Sequence, residues 1–259
     1  MNQIKAPVFS NIEVLPDIYL MWLEAPAIAG GARPGQFVMV GCGGDTYLPR
    51  PLSVHRVDGG QLALLFSVVG KGTTRLAQVK KGDTVSLFGP LGNSFSVDKG
   101  AKNLLLVAGG MGIAPLYYLA ETAAGQGKKV TVIIGARSRD ALLPVSLPQK
   151  YYEKGLPPAG VNVVAATDDG SEGFKGLATQ LIPHYLTGTD QVFACGPAAM
   201  YKSMVKMPEL EGKDVQLSLE IMMGCGVGVC YGCTIKTKSG LKQVCKDGPV
   251  FGMGEVYLV

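Results

Sequence analysis

Hydrophobic residues run along this chain in two rhythms. Up to about residue 98 they come in short bursts: Ile18-Tyr-Leu-Met-Trp-Leu, Gln36-Phe-Val-Met-Val, Leu62-Ala-Leu-Leu-Phe-Ser and Thr84-Val-Ser-Leu-Phe. Turn formers separate them, at Arg33-Pro-Gly, Asp58-Gly-Gly, Lys81-Gly-Asp and Gly89-Pro-Leu-Gly. Short β-branched and aromatic runs at close spacing predict strands, and several of them predict a small antiparallel β-barrel. From Asn103 the rhythm changes. Leu104-Leu-Leu-Val-Ala, Val130-Thr-Val-Ile-Ile, Val161-Asn-Val-Val-Ala and Gln191-Val-Phe-Ala are continuous apolar runs, as in strands buried on both faces of a parallel sheet. Helical segments alternate with them at residues 116–124, Leu177–Leu186 and Ala198–Val205, which predicts an α/β layer fold. The expected organisation is multi-domain: a β-barrel over 1–98, a Rossmann-like parallel α/β domain over 99–212, and a small C-terminal module over 213–259.

Composition narrows the function classes. Of 259 residues, 47% are hydrophobic and 17% charged, which excludes a disordered chain and supplies substantial cores. The net charge of +4 comes without a basic run, so nothing points to nucleic acid. The N-terminus has no apolar signal core and no apolar stretch approaches the ~20 residues of a membrane span, so no membrane association is expected.

The C-terminal module carries the most specific pattern. Cys225, Cys230, Cys233 and Cys245 are spaced C-x4-C-x2-C-x11-C, and the first three follow plant-type [2Fe–2S] spacing. Four thiolates must converge on two irons; a tight loop delivers three and a later residue returns with the fourth. Gly224, Gly226, Gly228 and Gly232 suit that loop, relieving crowding and permitting positive φ. Zinc also takes four cysteines, but its structural sites more often show two separated C-x2-C pairs. Disulfides are the third reading, and thiols reserved for a metal fit a reducing cytoplasm.

Two stretches of the barrel suit a phosphate. Arg50-Pro51-Leu52-Ser53 sets a guanidinium beside a rigid proline and a hydroxyl, and Gly70-Lys71-Gly72-Thr73-Thr74 opens a helix expected over Thr74–Val79. Each alone also reads as an ordinary turn or helix cap. Together they favour the pyrophosphate of a flavin dinucleotide. In the α/β region, Gly109-Gly110-Met111-Gly112-Ile113-Ala114-Pro115 joins a strand to a helix, the context of a dinucleotide-binding turn. Pro115 stands where a third glycine is usual, and Gly135-Ala136-Arg137 replaces the usual ribose-binding acid, so a plain β–α turn that needs glycine competes. Cys195-Gly196-Pro197 and Asp168-Asp169-Gly170-Ser171 end later strands on the same rim, where open parallel sheets bind ligands.

In that order, R-P-L-S, G-K-G-T, G-G-M-G-I-A-P and C-G-P resemble the ferredoxin–NADP reductase superfamily. With C-G-V-G-V-C-Y-G-C and Val244-Cys-Lys-Asp-Gly-Pro-Val-Phe, the whole chain resembles the electron-transfer subunits of B-type dihydroorotate dehydrogenase. The resemblance implies FAD held by Arg50, Pro51, Leu52, Ser53, Leu65, Phe66, Ser67, Gly72 and Thr73. It implies NAD at Gly109, Gly110, Met111, Gly112, Ile113, Ala114, Pro115, Asp169, Gly170, Ser171, Cys195, Gly196 and Pro197. It implies [2Fe–2S] on Cys225, Cys230, Cys233 and Cys245, the fourth ligand reached by a brief hairpin over Thr234–Val244. No further catalytic residue is assigned. The partner it implies is an FMN-containing catalytic subunit, two of each in a heterotetramer, because barrel, nucleotide domain and cluster module leave no room here for a (β/α)8 barrel of about 250 residues. Electrons would run from dihydroorotate through that FMN, this cluster and this FAD to NAD+, in pyrimidine biosynthesis. Rival readings are a subunit of a sulfhydrogenase or an electron-bifurcating NAD(P)H:ferredoxin oxidoreductase, a self-contained reductase, and a zinc-stabilised nucleotide-binding module.

Among other residues, Cys42 reads as packing, and His55 and His184 are too few for a histidine-based site. Arg137 and Arg139 keep NADP open, though a solvated basic loop explains them equally. Glu220 could approach a nicotinamide, with an ion pair as its ordinary role. Met222-Met223 could face a partner, with core packing as the default.

Overall fold

The computed structural model of the protein describes residues 1–143 and 160–257. Strands β1 (Asn2–Leu15), β2 (Ile18–Glu24), β3 (Phe37–Gly41), β4 (Arg50–Asp58), β5 (Gln61–Ser67) and β6 (Thr84–Leu91) close into an antiparallel barrel in the order β1-β2-β5-β4-β3-β6. Alternation fills it: Met21 and Leu23, Val38 and Val40, Leu62, Leu64 and Phe66, and Val85 and Leu87 point inward. The residues between them on β2 and β5, namely Leu20, Trp22, Ala63 and Leu65, are also buried, because they pack against the α/β domain. Two buried faces explain why these strands read as apolar runs. The short helix α1 (Pro26–Ala29) lies between β2 and β3, and α2 (Lys71–Gln78) follows β5.

Sheet two has the order β10-β9-β8-β7-β11-β12-β15. Its strands are β7 (Asn103–Gly109), β8 (Lys129–Ala136), β9 (Val161–Thr167), β10 (Phe174–Lys175), β11 (Gln191–Cys195), β12 (Asp214–Ser218) and β15 (Val250–Gly252). All neighbours are parallel except β12 and β15. Leu104 and Leu106 of β7 face helix α3 (Ile113–Gly125), while Leu105 and Val107 face α4 (Ala178–Tyr185) and α5 (Ala198–Val205). The hairpin β13 (Thr234–Thr237) and β14 (Gly240–Gln243) and the short α6 (Val244–Asp247) complete the described residues.

The expected barrel and parallel α/β fold are both present. Two barrel strands had no clear signature. In β1, polar residues interrupt the pattern and Pro7 breaks it. Pro7 is the last residue paired with β6, and Val8 the first paired with β2, so the missing N–H falls where the strand changes partner. In β4, Arg50-Pro-Leu-Ser is the strand's first residues rather than a turn beside it. Helix α2 starts at Lys71, three residues before the expected Thr74, because the Thr73 hydroxyl accepts the N–H groups of Val69 and Gly70 and so caps an earlier first turn. Beyond residue 213, β12 and β15 extend the second sheet, so the cysteine loop and its hairpin are inserted between two strands of that sheet.

Barrel and sheet meet along β4 and α3. Arg56 forms a two-pronged pair with Glu121, at 2.8 and 3.0 Å, and its guanidinium lies 5.8 Å from the Trp22 ring. His55 bonds the Ala114 carbonyl through Nδ1 at 3.0 Å and stacks on Tyr117, and the Tyr118 hydroxyl donates to the Ala32 carbonyl. Because β4 also carries Arg50–Ser53 and α3 also carries Ala114 and Pro115, this joint fixes the two candidate binding stretches relative to each other.

Candidate functional site

A cleft of about 280 Å³ opens at that joint. It brings together Arg50, Pro51, Leu52 and Ser53 from β4, Leu65, Phe66 and Ser67 from β5, Thr73 from α2, and Met111, Ala114 and Pro115 from the glycine turn. The Arg50 guanidinium lies across the first turn of α2. A Cβ on Gly72 would come 2.9 Å from its Nε, so glycine here lets the guanidinium settle over the helix start. Fixed positive charge and helical N–H groups at one point suit an anion. The Arg50 Nη1 also donates to the Leu48 carbonyl at 2.7 Å, holding the side chain in place. Thr73 is buried and its hydroxyl is committed to Val69 and Gly70, so it shapes the turn. Phe66 turns its ring into the barrel and stacks on Tyr19, and alternation therefore directs Leu65 and Ser67 away from the barrel core.

Glycines at the sheet rim have a packing reason. A Cβ on Gly112 would overlap the Cys195 carbonyl, and a Cβ on Gly109 would come 2.7 Å from Pro197. The turn after β7 and the turn after β11 interlock, so Gly109, Gly112 and Gly196 allow that contact, and Ile113 is core. Gly110 takes φ +53° at the strand end. Asp169, Gly170 and Ser171 lie apart from the cleft, after β9. There the Asp169 carboxylate accepts the Ser171 N–H at 2.9 Å and hydroxyl at 2.6 Å, which lowers its pKa, and Ser171 Oγ accepts the Arg139 N–H at 2.8 Å. Arg139 faces Glu172 at 3.7 Å.

The segment Ser218–Met223, leading from β12 to the cysteines, closes one side of the cleft. Of its residues Glu220 and the Met222-Met223 pair carry a sequence signal, whereas Ser218, Leu219 and Ile221, like Val69 elsewhere in the lining, have none. They reach the cleft because β12 lies beside β11. Glu220 faces the Cys195 thiol at 3.8 Å, and the described ion pairs do not include it, so the ordinary ion-pair role is replaced by a thiol contact. Burial raises the Glu220 carboxyl pKa, against the hydrogen bond from Cys195, and burial followed by Glu220 raises the thiol's. The Tyr201 hydroxyl accepts the Gly196 N–H at 2.9 Å and donates to the Ser218 carbonyl at 2.6 Å, locking the two strand ends together.

Beyond Met223 lie the four cysteines, with backbone N–H groups donating to three of their sulfurs. Among the described residues no group of three or more His, Cys, Asp or Glu side chains is drawn together as around a bound metal ion. Val227 and Val229 donate N–H to the Cys225 sulfur, at 3.4 and 3.3 Å, Gly228 to Cys245 at 3.1 Å and Cys245 to Cys233 at 3.4 Å. Burial pushes the Cys225 thiol up, but the N–H groups of Val227, Cys230 and Val229, with the Cys230 thiol, outweigh it and hold the pKa at about 6. Cys245 is pushed up to about 12 by burial and the adjacent Cys233. Gly226 and Gly228 adopt φ +74° and +79°, which glycine tolerates; at Gly224 and Gly232 a Cβ would make only ordinary contact with the Cys230 sulfur, at 3.4 and 3.6 Å. Cys233 and Cys245 are buried, while Cys230 faces outward. The loop rests on the barrel. A Cβ on Gly226 would be 2.6 Å from Met39, and Met39 is paired with Pro51 across β3 and β4.

Comparison with known proteins agrees with this geometry. Residues 220–257 match the iron–sulfur cluster binding domain of dihydroorotate dehydrogenase B, and residues 106–206 match the oxidoreductase NAD-binding domain. The chain is 40% identical over 261 residues to the dihydroorotate dehydrogenase B (NAD(+)) electron transfer subunit of Desulforamulus reducens, covering 97% of each. It is 37% identical over 258 residues to that of Caldanaerobacter subterraneus subsp. tengcongensis, covering 98% of each. Among solved structures, an NADH-dependent reduced ferredoxin–NADP oxidoreductase, described for flavin-based electron bifurcation, superposes with a TM-score of 0.85 at 30% identity, over 98% of this chain and 90% of the other. The ferredoxin reductase of carbazole 1,9a-dioxygenase, at 20% identity and a TM-score of 0.70 over 83% of this chain and 68% of the other, shares the fold.

Proposed function

This chain belongs to the family of dihydroorotate dehydrogenase B (NAD(+)) electron transfer subunits, and on that premise we propose how its residues divide the work. It is an oxidoreductase subunit that carries electrons from a dihydroorotate-oxidising partner to NAD+ by way of [2Fe–2S] and FAD. Bound together, flavin exchanges hydride with nicotinamide and single electrons with an iron–sulfur cluster, so pairs are converted to singles. Arg50 and the first turn of α2 at Gly72 hold the FAD pyrophosphate. Pro51, Leu52 and Ser53, with Leu65 and Ser67, line the ring. Thr73 shapes the helix start, and Phe66 supports β5 from within the barrel. Met111, Ala114 and Pro115 guide NAD to the open side, on a turn whose backbone depends on Gly109, Gly110, Gly112 and the facing Cys195, Gly196 and Pro197. Asp169, Gly170 and Ser171 form the outer rim of the nucleotide site, past the end of β9. Cys225, Cys230, Cys233 and Cys245 would hold the [2Fe–2S] cluster.

The observation that carries this reading is the seat of the cysteine loop. Gly226 packs on Met39, and Met39 is the β-sheet partner of Pro51 in the cleft lining, so the cluster ligands and the flavin cleft are neighbours. On the outer side Met222, Val229, Tyr231 and Leu241 are 70–89% exposed around the cysteines. Such apolar side chains suit a docking partner, and an FMN-containing catalytic subunit, two of each in a heterotetramer, is the partner the family supports. The compartment proposed is the reducing cytoplasm, where four free thiols persist for a metal. Among the described residues no helix is long and apolar enough to cross a membrane.

The 30% identity to a ferredoxin–NADP oxidoreductase favours a second reading, a bifurcating subunit. Co-expression with a dihydroorotate-oxidising subunit separates the two. The expected result is a stable complex that reduces NAD+ with dihydroorotate, an activity lost when this chain is withheld. A complex that ignores dihydroorotate but couples NAD(P)H to ferredoxin would establish the second reading.

A further inference from the structure

Gln243 ends β14, two residues before the ligand Cys245. Its backbone is held on both sides: it pairs with Thr234, which follows Cys233, and its N–H donates to the Asp247 carboxylate at 2.7 Å. The side chain is 9% exposed, and its Nε2 is buried without an acceptor among the described residues. This amide lies against the cysteine loop. A Cβ on Gly228 would be 2.7 Å from Gln243 Oε1, and the Gly228 N–H donates to the Cys245 sulfur at 3.1 Å. A buried amide donor without a partner is unfavourable, and native structures satisfy nearly all such groups. At Gly228 of the cysteine loop, against which the amide lies, the sulfurs of a bound cluster are acceptors that the polypeptide alone does not supply.

We infer that the Gln243 side-chain amide donates a hydrogen bond to a sulfur of the [2Fe–2S] cluster and thereby raises its reduction potential. This rests on the cluster assignment to Cys225, Cys230, Cys233 and Cys245. Reduction adds negative charge to the cluster, and the positive end of a donor in a water-poor shell stabilises that charge. Gln243 is therefore a tuning residue and not a ligand. It is the one glutamine between Glu220 and Tyr257, so a signal from a glutamine side chain at the cluster would identify it.

The test is a potentiometric titration of the complete complex, followed by electron paramagnetic resonance of the reduced cluster. It compares the native chain with Gln243→Leu and Gln243→Glu. With iron and sulfide content retained, Gln243→Leu is expected to lower the ratio of reduced to oxidised cluster about fivefold at the native midpoint, a shift of about 40 mV at 59 mV per decade for one electron. Gln243→Glu, adding a negative charge, is expected to lower it further. An unmoved midpoint in Gln243→Leu would overturn this inference alone, with a bound water filling the role of acceptor. A native chain without an iron–sulfur signal would overturn the cluster assignment and this inference with it. Should the variants lose their cluster, the native complex labelled with 15N in glutamine side chains decides. Hyperfine coupling to a side-chain nitrogen supports the hydrogen bond, and its absence overturns it.

Discussion

Gly72 is a residue whose role depends on a neighbour distant in the chain. Its missing side chain is the space occupied by the Arg50 guanidinium, which comes from β4. Gly72→Val should push that guanidinium off the start of α2 and weaken FAD retention by about tenfold or more, equivalent to about 1.4 kcal/mol. Flavin titration into the deflavinated protein measures this, and cluster content should not change. An unchanged affinity would mean that Arg50 and the helix start do not hold the pyrophosphate. At this scale legibility varied. The four cysteines stand out because they fall within one short stretch. The Arg50 and Gly72 stretches stand out because each carries an anion-binding chemistry of its own, and the structure brings the two together. The thiol–carboxyl contact of Cys195 with Glu220 does not, because it exists only once β12 is laid beside β11. The glycines of the Gly109–Pro115 turn were visible, yet their interlock with the Cys195–Pro197 turn was not; local sequence shows that a Cβ is unwelcome without showing what it would strike.

Between elements, the decisive contact is β4 on α3. His55 is wholly enclosed there, and burial, with the nearby Arg56 charge, pulls its pKa from 6.5 down to about 4, against the hydrogen bond to the Ala114 carbonyl. A histidine held neutral in the folded state gains its proton on unfolding. Stability is therefore fully present above pH 6.5 and is lost as pH falls from there toward 4. The size is about 2 kcal/mol between pH 7 and pH 5. Urea unfolding followed by the fluorescence of Trp22, the single tryptophan and itself at this joint, measures it. His55→Phe should remove that part of the pH dependence; an equal slope in the variant would assign the acid sensitivity elsewhere. From sequence His55 reads only as one of two histidines, too few for a histidine-based site, because β4 itself is not legible as a strand. Its opening Arg-Pro-Leu-Ser has neither alternation nor an apolar run. The parallel strands were legible for the opposite reason: helices cover both faces, so almost every side chain in β7 and β11 must be apolar.

On the scale of the molecule, the order of parts along the chain becomes an order in space. The barrel and sheet share one cleft, and the cysteine loop, inserted between β12 and β15, returns to rest on the barrel beside it. Barrel, α/β layer and cluster loop were all legible in outline. The sharing of β12 and β15 with the nucleotide sheet was not, because strands of five and three residues give little pattern. One proposal underlies these expectations: the chain is an electron conduit whose flavin and cluster sites adjoin. Its most direct test is anaerobic purification of the chain, assay of flavin, iron, sulfide and zinc, and a visible spectrum before and after NADH. The expected result is one FAD, two irons and two sulfides per chain, with both the flavin and the iron–sulfur absorbance bleached by NADH. A colourless chain carrying zinc, or a flavin that bleaches while the cluster stays oxidised, would contradict it.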